Sequence, residues 1–146
     1  MILHSWTPDG KSILFWGDPS FSESPVADGA SLYTVTVPEG EVRSLGVRTL
    51  PDVDLAEFSP DGKYLALTEG DGRETRTHKR IALLNISNHT KTFLTSEDVA
   101  ALFPSWSPAG TWIAFSAGPD EDSTVREGPA ATLGDVEVWV MRPDGS

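Results

Sequence analysis

Short stretches in which apolar and polar residues alternate recur along the whole chain. Positions 2–6, 32–37 and 81–86 are examples, and β-branched and aromatic residues are frequent in them. Pro, Gly, Asn and Asp separate these stretches, as expected for turns between strands. No segment shows a convincing helical period, and 96–102 could form one helical turn at most. The pattern therefore predicts an all-β protein.

One turn motif occurs three times, and the strand after it recurs with it. The copies are WTPDGK at 6–11, FSPDGK at 58–63 and WSPAGT at 106–111, which are 48 to 52 residues apart. In each copy an aromatic residue ends one strand, Pro fixes φ, and Gly accepts the left-handed conformation, so each copy predicts a hairpin turn. Apolar strands follow at Ile13, Leu65 and Ile113.

The strands around these turns form a repeating unit of about 48 residues, the size of a propeller blade. Inner strands are predicted at 2–6, 53–58 and 102–106, and third strands at 32–37, 81–86 and 136–141. Fourth strands are predicted at 42–45 and 91–94 only. We predict one propeller segment over 1–146, with blade one at 1–50, blade two at 51–99 and blade three, lacking its fourth strand, at 100–146.

These residues resemble the TolB-type, WD-like β-propeller repeat, in which an aromatic-Ser/Thr-Pro-Asp-Gly-Lys turn precedes an Ile-Ala-Phe-like strand. The departures are Phe58, Ala109 and Thr111, which leave the turn-forming Pro and Gly intact. The resemblance implies bacterial origin, binding or scaffolding, and a periplasmic or extracellular location, although the chain starts without a signal peptide. It also implies a six-bladed ring. Three blades then indicate either a fragment of a longer array or a homodimer of two half-propellers.

The charge of the chain restricts its partners. There are 11 Lys and Arg against 22 Asp and Glu, a net charge of −11. Such an acidic protein repels phosphate backbones, so nucleic-acid binding is excluded, and no apolar run is long enough to insert into a membrane. We expect a protein or peptide partner.

The long connections between second and third strands are the candidate binding rim, because variable loops on a rigid frame carry recognition. Trp16 enters the first of these loops. The acidic residues that share the rim are Asp18, Glu69, Asp71, Asp120 and Asp122. They are typical of a solvated acidic rim, and a calcium-binding site is the alternative interpretation. However, the run 120–122 lacks the residue order of a calcium loop, so no cofactor is expected.

No catalytic motif is present. The sequence has no Gly-x-Ser-x-Gly elbow, no cysteine and no paired histidine ligands among His4, His78 and His89. We therefore predict a non-catalytic module. The alternative is the propeller cap of a prolyl-oligopeptidase-type serine peptidase, in which a separate hydrolase domain supplies the nucleophile. Trp6 and Trp106 occupy the repeat position and are expected to pack between blades.

Overall fold

A computed structural model describes residues 1–17, 29–70, 77–121 and 136–146 of the chain. The first sheet contains β1 (Ile2–Trp6), β2 (Ser12–Gly17), β3 (Ala30–Thr36) and β4 (Val42–Thr49). The second contains β5 (Ala56–Phe58), β6 (Tyr64–Glu69), β7 (Arg80–Asn85) and β8 (Lys91–Phe93). The third contains β9 (Val99–Trp106), β10 (Ile113–Pro119) and β11 (Glu137–Met141).

Each sheet is an antiparallel meander in which consecutive strands are neighbours. The strand orders are β1-β2-β3-β4 and β5-β6-β7-β8, and the third sheet has three strands within the described residues. The protein is therefore all-β, and its sheets are propeller blades in the predicted order, the last one incomplete. We call them blades one, two and three.

The inner strand of blade two is shorter than predicted. Residues Val53–Leu55 form a 3₁₀ turn instead of extending the strand back from Ala56. The Asp52 carboxylate accepts the Asp54 N–H at 3.1 Å and caps this turn, which the alternation of apolar residues did not indicate. In blade three the inner strand begins at Val99, so the helical turn considered for 96–102 does not form.

Burial shows how the blades stack. Blade two is buried on both faces: Leu65 and Leu67 pack toward blade one, whereas Ala66 packs toward blade three. The second strands of the flanking blades alternate between buried and half-buried positions, because each covers only one face. We call the face that packs on the preceding blade the front face, and the face that packs on the following blade the back face.

The repeated turn has the same hydrogen bonds in blades one and two. In blade two, the Gly62 N–H donates to the Ser59 carbonyl at 2.8 Å, with Gly62 at a φ of 70°. The Asp61 carboxylate accepts the Ser59 hydroxyl at 2.7 Å and the Lys63 N–H at 3.1 Å. These bonds lower the pKa of Asp61 to about 2, and the bond from the Ser59 hydroxyl has the largest effect. Thr7 and Asp9 repeat the arrangement in blade one.

Blade three keeps the turn without the carboxylate. Ala109 cannot accept a hydrogen bond through its side chain, and the Ser107 hydroxyl accepts the Thr111 N–H at 3.1 Å instead. This hydroxyl also accepts the Trp112 N–H at 3.0 Å, a bond that the first two copies of the turn share. Gly110 has a φ of 69°, as in the other copies. The turn therefore forms with the Ser, Pro and Gly of the motif and without its Asp.

The blade stacking predicts a difference between two valines. Val47 is 3% exposed in the core between blades one and two, whereas Val53 is 53% exposed. We expect Val47→Ala to lower the free energy of unfolding by about 2 kcal/mol, because it removes buried methyl groups and leaves a cavity. Val53→Ala is the matched control, with a change within about 0.5 kcal/mol in urea unfolding. Equal losses of unfolding free energy in the two variants would contradict the packing of Val47 between blades one and two.

Candidate functional site

The three inner strands and the 3₁₀ turn enclose a groove with a cavity volume of about 750 Å³. Inner strands can meet in this way because each blade begins with its innermost strand and the blades stack in order. We call this surface the inner groove. It is lined by His4, Ser5, Trp6, Val53, Asp54, Ala56, Glu57, Phe58, Phe103, Pro104 and Ser105.

Exposed aromatic side chains and carboxylates lie together in the inner groove. Trp6 is 55% exposed and Phe103 is 44% exposed. Phe103 has a φ of +58°, an uncommon conformation for a bulky residue. Its N–H donates to the Thr68 hydroxyl of blade two at 3.2 Å. The groove therefore offers aromatic surface beside the exposed Asp54.

Glu57 has a structural role at the edge of the groove. Its Oε2 accepts the backbone N–H of Trp106 at 2.6 Å, and its carbonyl accepts the Trp106 indole N–H at 3.2 Å. Trp106 is only 8% exposed and packs between blades two and three, which confirms the expectation for this residue. Trp6 occupies the same repeat position but is largely exposed, because no described blade covers the front face of blade one.

A histidine joins the inner strands of blades one and two. Because a carbonyl only accepts hydrogen bonds, His4 Nε2–H donates to the Ala56 carbonyl at 2.8 Å. His4 Nδ1 then accepts the Ser5 hydroxyl at 2.7 Å. Burial lowers the pKa of His4, against a smaller raising effect of the Ala56 and Val53 carbonyls. The imidazole is thus held neutral as a contact between blades.

The structure places Trp16 in the core and not on the predicted rim. Its side chain is 1% exposed, and its ring centroid lies 5.0 Å from that of His4. Trp16 shares the back face of blade one with Leu14, so the indole is covered by blade two. The indole N–H has no hydrogen-bond partner among the described residues.

Two of the acidic rim candidates make contacts with other residues at the ends of their strands. Glu69 forms an ion pair with Lys91. Asp120 is 2% exposed, and its carboxylate accepts the His78 N–H at 2.6 Å, which joins blade three to blade two. The other candidates, Asp18, Asp71 and Asp122, lie outside the described residues. The three candidates that the structure describes, Trp16, Glu69 and Asp120, therefore do not form an exposed cluster.

Sequence analysis missed the residues of the inner groove as a site. Asp54, Phe103 and Ser105 have no shared motif, and their proximity depends on how three blades stack. The available signal was positional, since these residues lie in or just before the inner strand of each repeat. Among the described residues, no group of three acidic or histidine side chains could hold a metal ion. The described ranges also contain no helix that could span a membrane.

Stacked antiparallel meanders of four, four and three described strands around an inner groove define a β-propeller segment, and solved propellers match it. A protein assigned as TolB from Agrobacterium tumefaciens is 24% identical, with a TM-score of 0.63 over 98% of this chain and 46% of that chain. TolB from Acinetobacter baumannii is 18% identical, with a TM-score of 0.58 over 100% of this chain and 30% of that one.

Peptidases that contain propellers also match. A structure from a study of two prolyl endopeptidases is 16% identical, with a TM-score of 0.58 over 98% of this chain and 20% of that one. No protein-family profile and no curated protein matches the sequence. The chain spans less than half the length of the TolB proteins it matches. Its fold is that of a TolB-like propeller.

The state of His4 predicts a pH dependence of stability. Because its pKa is lower in the folded protein than the usual value of 6.5, the unfolded chain binds the proton first as the pH falls. The contribution of His4 is present above that value and is lost as the pH falls toward the folded pKa. We expect the free energy of unfolding to fall less between pH 7 and pH 5 in His4→Gln than in the natural protein.

The exposed His89 provides the control for this experiment. His89→Asn suits its positive φ of 58° and should retain the natural pH dependence in urea unfolding. A His4→Gln profile that runs parallel to the natural one over this range would show that His4 is not held neutral by burial.

Proposed function

We propose that this chain is a non-catalytic recognition module, a TolB-like propeller segment that binds a peptide or a segment of a protein partner. The inner groove is the observation that carries the proposal, because it places aromatic surface and carboxylates in a concave site on three rigid strands. The rim loops, whose tips lie outside the described residues, remain part of the proposed contact surface.

The groove favours a ligand with apolar and basic groups. Its charged side chains at neutral pH are Asp54 and Glu57, because burial keeps His4 neutral. Aromatic faces such as Trp6 and Phe103 provide contact area for apolar side chains and attract cations. The net charge of −11 adds a long-range attraction for basic peptides at low salt.

A binding experiment follows from this chemistry. The probe is a fluorescein-labelled octapeptide of alternating leucine and lysine. It is compared with a peptide in which glutamate replaces every lysine. We expect the lysine peptide to bind at least about tenfold more tightly by fluorescence anisotropy, since two carboxylates attract one peptide and repel the other. Asp54→Asn should weaken the lysine peptide about threefold, and Phe103→Ala about fivefold.

Glu39→Gln is the control for this experiment, because it removes one negative charge from an exposed turn outside the groove lining. Its affinity should match that of the natural protein. If Glu39→Gln weakens the lysine peptide as much as Asp54→Asn does, the attraction is a general charge effect and the groove is not the site.

The alternative function is the propeller cap of a prolyl-oligopeptidase-type serine peptidase, which the prolyl endopeptidase match supports. In that case the blades would select substrates for a catalytic domain in the same polypeptide. The gene that encodes this chain distinguishes the two functions. A Gly-x-Ser-x-Gly motif downstream favours the peptidase, whereas further propeller repeats favour the recognition module.

The proposal has two further parts, which the resemblance to TolB supports. The first is a periplasmic or extracellular location, to be checked by fractionation of cells that carry the full-length gene. The second is self-association: two copies would complete a six-bladed ring, since the described blades of each copy leave two faces uncovered.

A further inference from the structure

Both open flanks of the described structure are apolar. On blade one, cross-strand pairing places Leu3, Trp6, Ile13, Phe15, Val35 and Val42 on the front face. Leu3 is 67% exposed and Val42 is 60% exposed. On blade three, Trp112, Ala114, Ser116, Val138 and Val140 share the back face. Val138 is 79% exposed and Val140 is 64% exposed. Exposed patches of this kind mark interaction surfaces.

These two faces are the two halves of an interface that the chain already forms twice. A front face packs on a back face where blade two meets blade one and where blade three meets blade two. At the front-face position of the second strand, Leu65 and Ile113 are both 0% exposed. Ile13 occupies that position in blade one and is only half-buried. Within the described residues, the front face of blade one therefore lacks the cover that its equivalents have.

The repeated turns of successive blades also contact each other, and within the described residues the turn of blade one lacks such a contact on its front side. A methyl group on Gly62 would lie 3.6 Å from the Pro8 ring of the preceding blade, and one on Gly110 would lie 3.7 Å from Pro60. At Gly10 the same position meets no atom within 4 Å in the described part of the chain. Pro108 continues this series at the other flank.

We propose that the open flanks are an interface for a second copy of this chain. Blade three of each copy packs on blade one of the other, with Pro108 against Gly10. Trp6 then lies against Ser105 of the second copy, as Trp106 lies against Glu57 within the chain. Contacts between different surfaces of two copies close into a ring when the rotation permits. Two copies give six blades, within the range of known propellers, whereas three copies give nine.

Sedimentation equilibrium of the full 146-residue chain tests this pairing, and it does not depend on peptide binding in the inner groove. We expect a dimer of about 31 kDa, twice the chain mass of 15.7 kDa, with no larger species as concentration rises. A chain that stays monomeric at about 100 μM, roughly 100 times a micromolar dissociation constant, overturns the proposal and leaves further blades of the same polypeptide as the cover of these faces. A mass that grows without limit overturns the closed pair.

Two substitutions test the direction of the pairing. Val140→Glu places a negative charge on the back face of blade three, and Leu3→Lys places a positive charge on the front face of blade one. Each alone should raise the dissociation constant at least about tenfold, because a charge in an apolar interface is left unpaired. Thr92→Glu, at an exposed position in β8 of blade two on neither flank, should leave the dissociation constant unchanged. Circular dichroism checks that each variant is folded.

A mixture of the two variants gives the decisive result. In a mixed head-to-tail pair, one interface carries both substitutions, whose opposite charges attract each other, and the other interface carries neither. We therefore expect the mixture to associate at least about tenfold more tightly than either variant alone. If only one variant weakens the dimer, or if the mixture shows no recovery, the copies do not pair head to tail and the proposal is wrong.

Discussion

The structure depends on covering both faces of each four-stranded sheet. A meander of this size exposes two apolar faces, and one blade cannot bury either of them alone. Blade two meets the requirement, because Leu65 and Leu67 are covered by blade one and Ala66 is covered by blade three. Its second and third strands are accordingly buried at four consecutive positions. Within the described residues, each flanking blade has only one covered face, and its second strand alternates between buried and half-buried positions. The stability of each blade therefore depends on the blades that pack against it.

The repeated turn also takes part in the stacking of blades. Each motif glycine takes a left-handed conformation that reverses the chain, and Gly62 and Gly110 lie beside the proline of the preceding blade. The same two residues thus serve the hairpin and the stacking of blades. The carboxylate of the motif is less essential, since the Ser107 hydroxyl replaces it in blade three. This difference explains why the motif tolerates Ala109 while keeping Pro108 and Gly110.

Features that repeat along the chain could be predicted from the sequence, and features that depend on contacts between blades could not. The turn motif and strand alternation predicted the meanders, their order and the packing of Trp106. The same alternation could not show that Trp16 is covered by blade two or that Asp120 is committed to the His78 N–H. Both looked like rim residues because they lie at strand ends. Phe103 was missed because its positive φ, which no local motif signals, accompanies a contact with Thr68 of the neighbouring blade.

The proposed recognition in the inner groove and the proposed closure of the ring share one residue, Trp6. This residue lines the groove and also lies on the front face of blade one. A second copy on that face would bury part of the indole and add its own inner strands to the groove wall. A ligand that contacts Trp6 would then bind single and paired chains with different affinity. By thermodynamic linkage, the same ligand would shift the association of the two copies by the same factor. Binding and assembly would therefore be coupled by geometry alone, without a change of conformation in any blade.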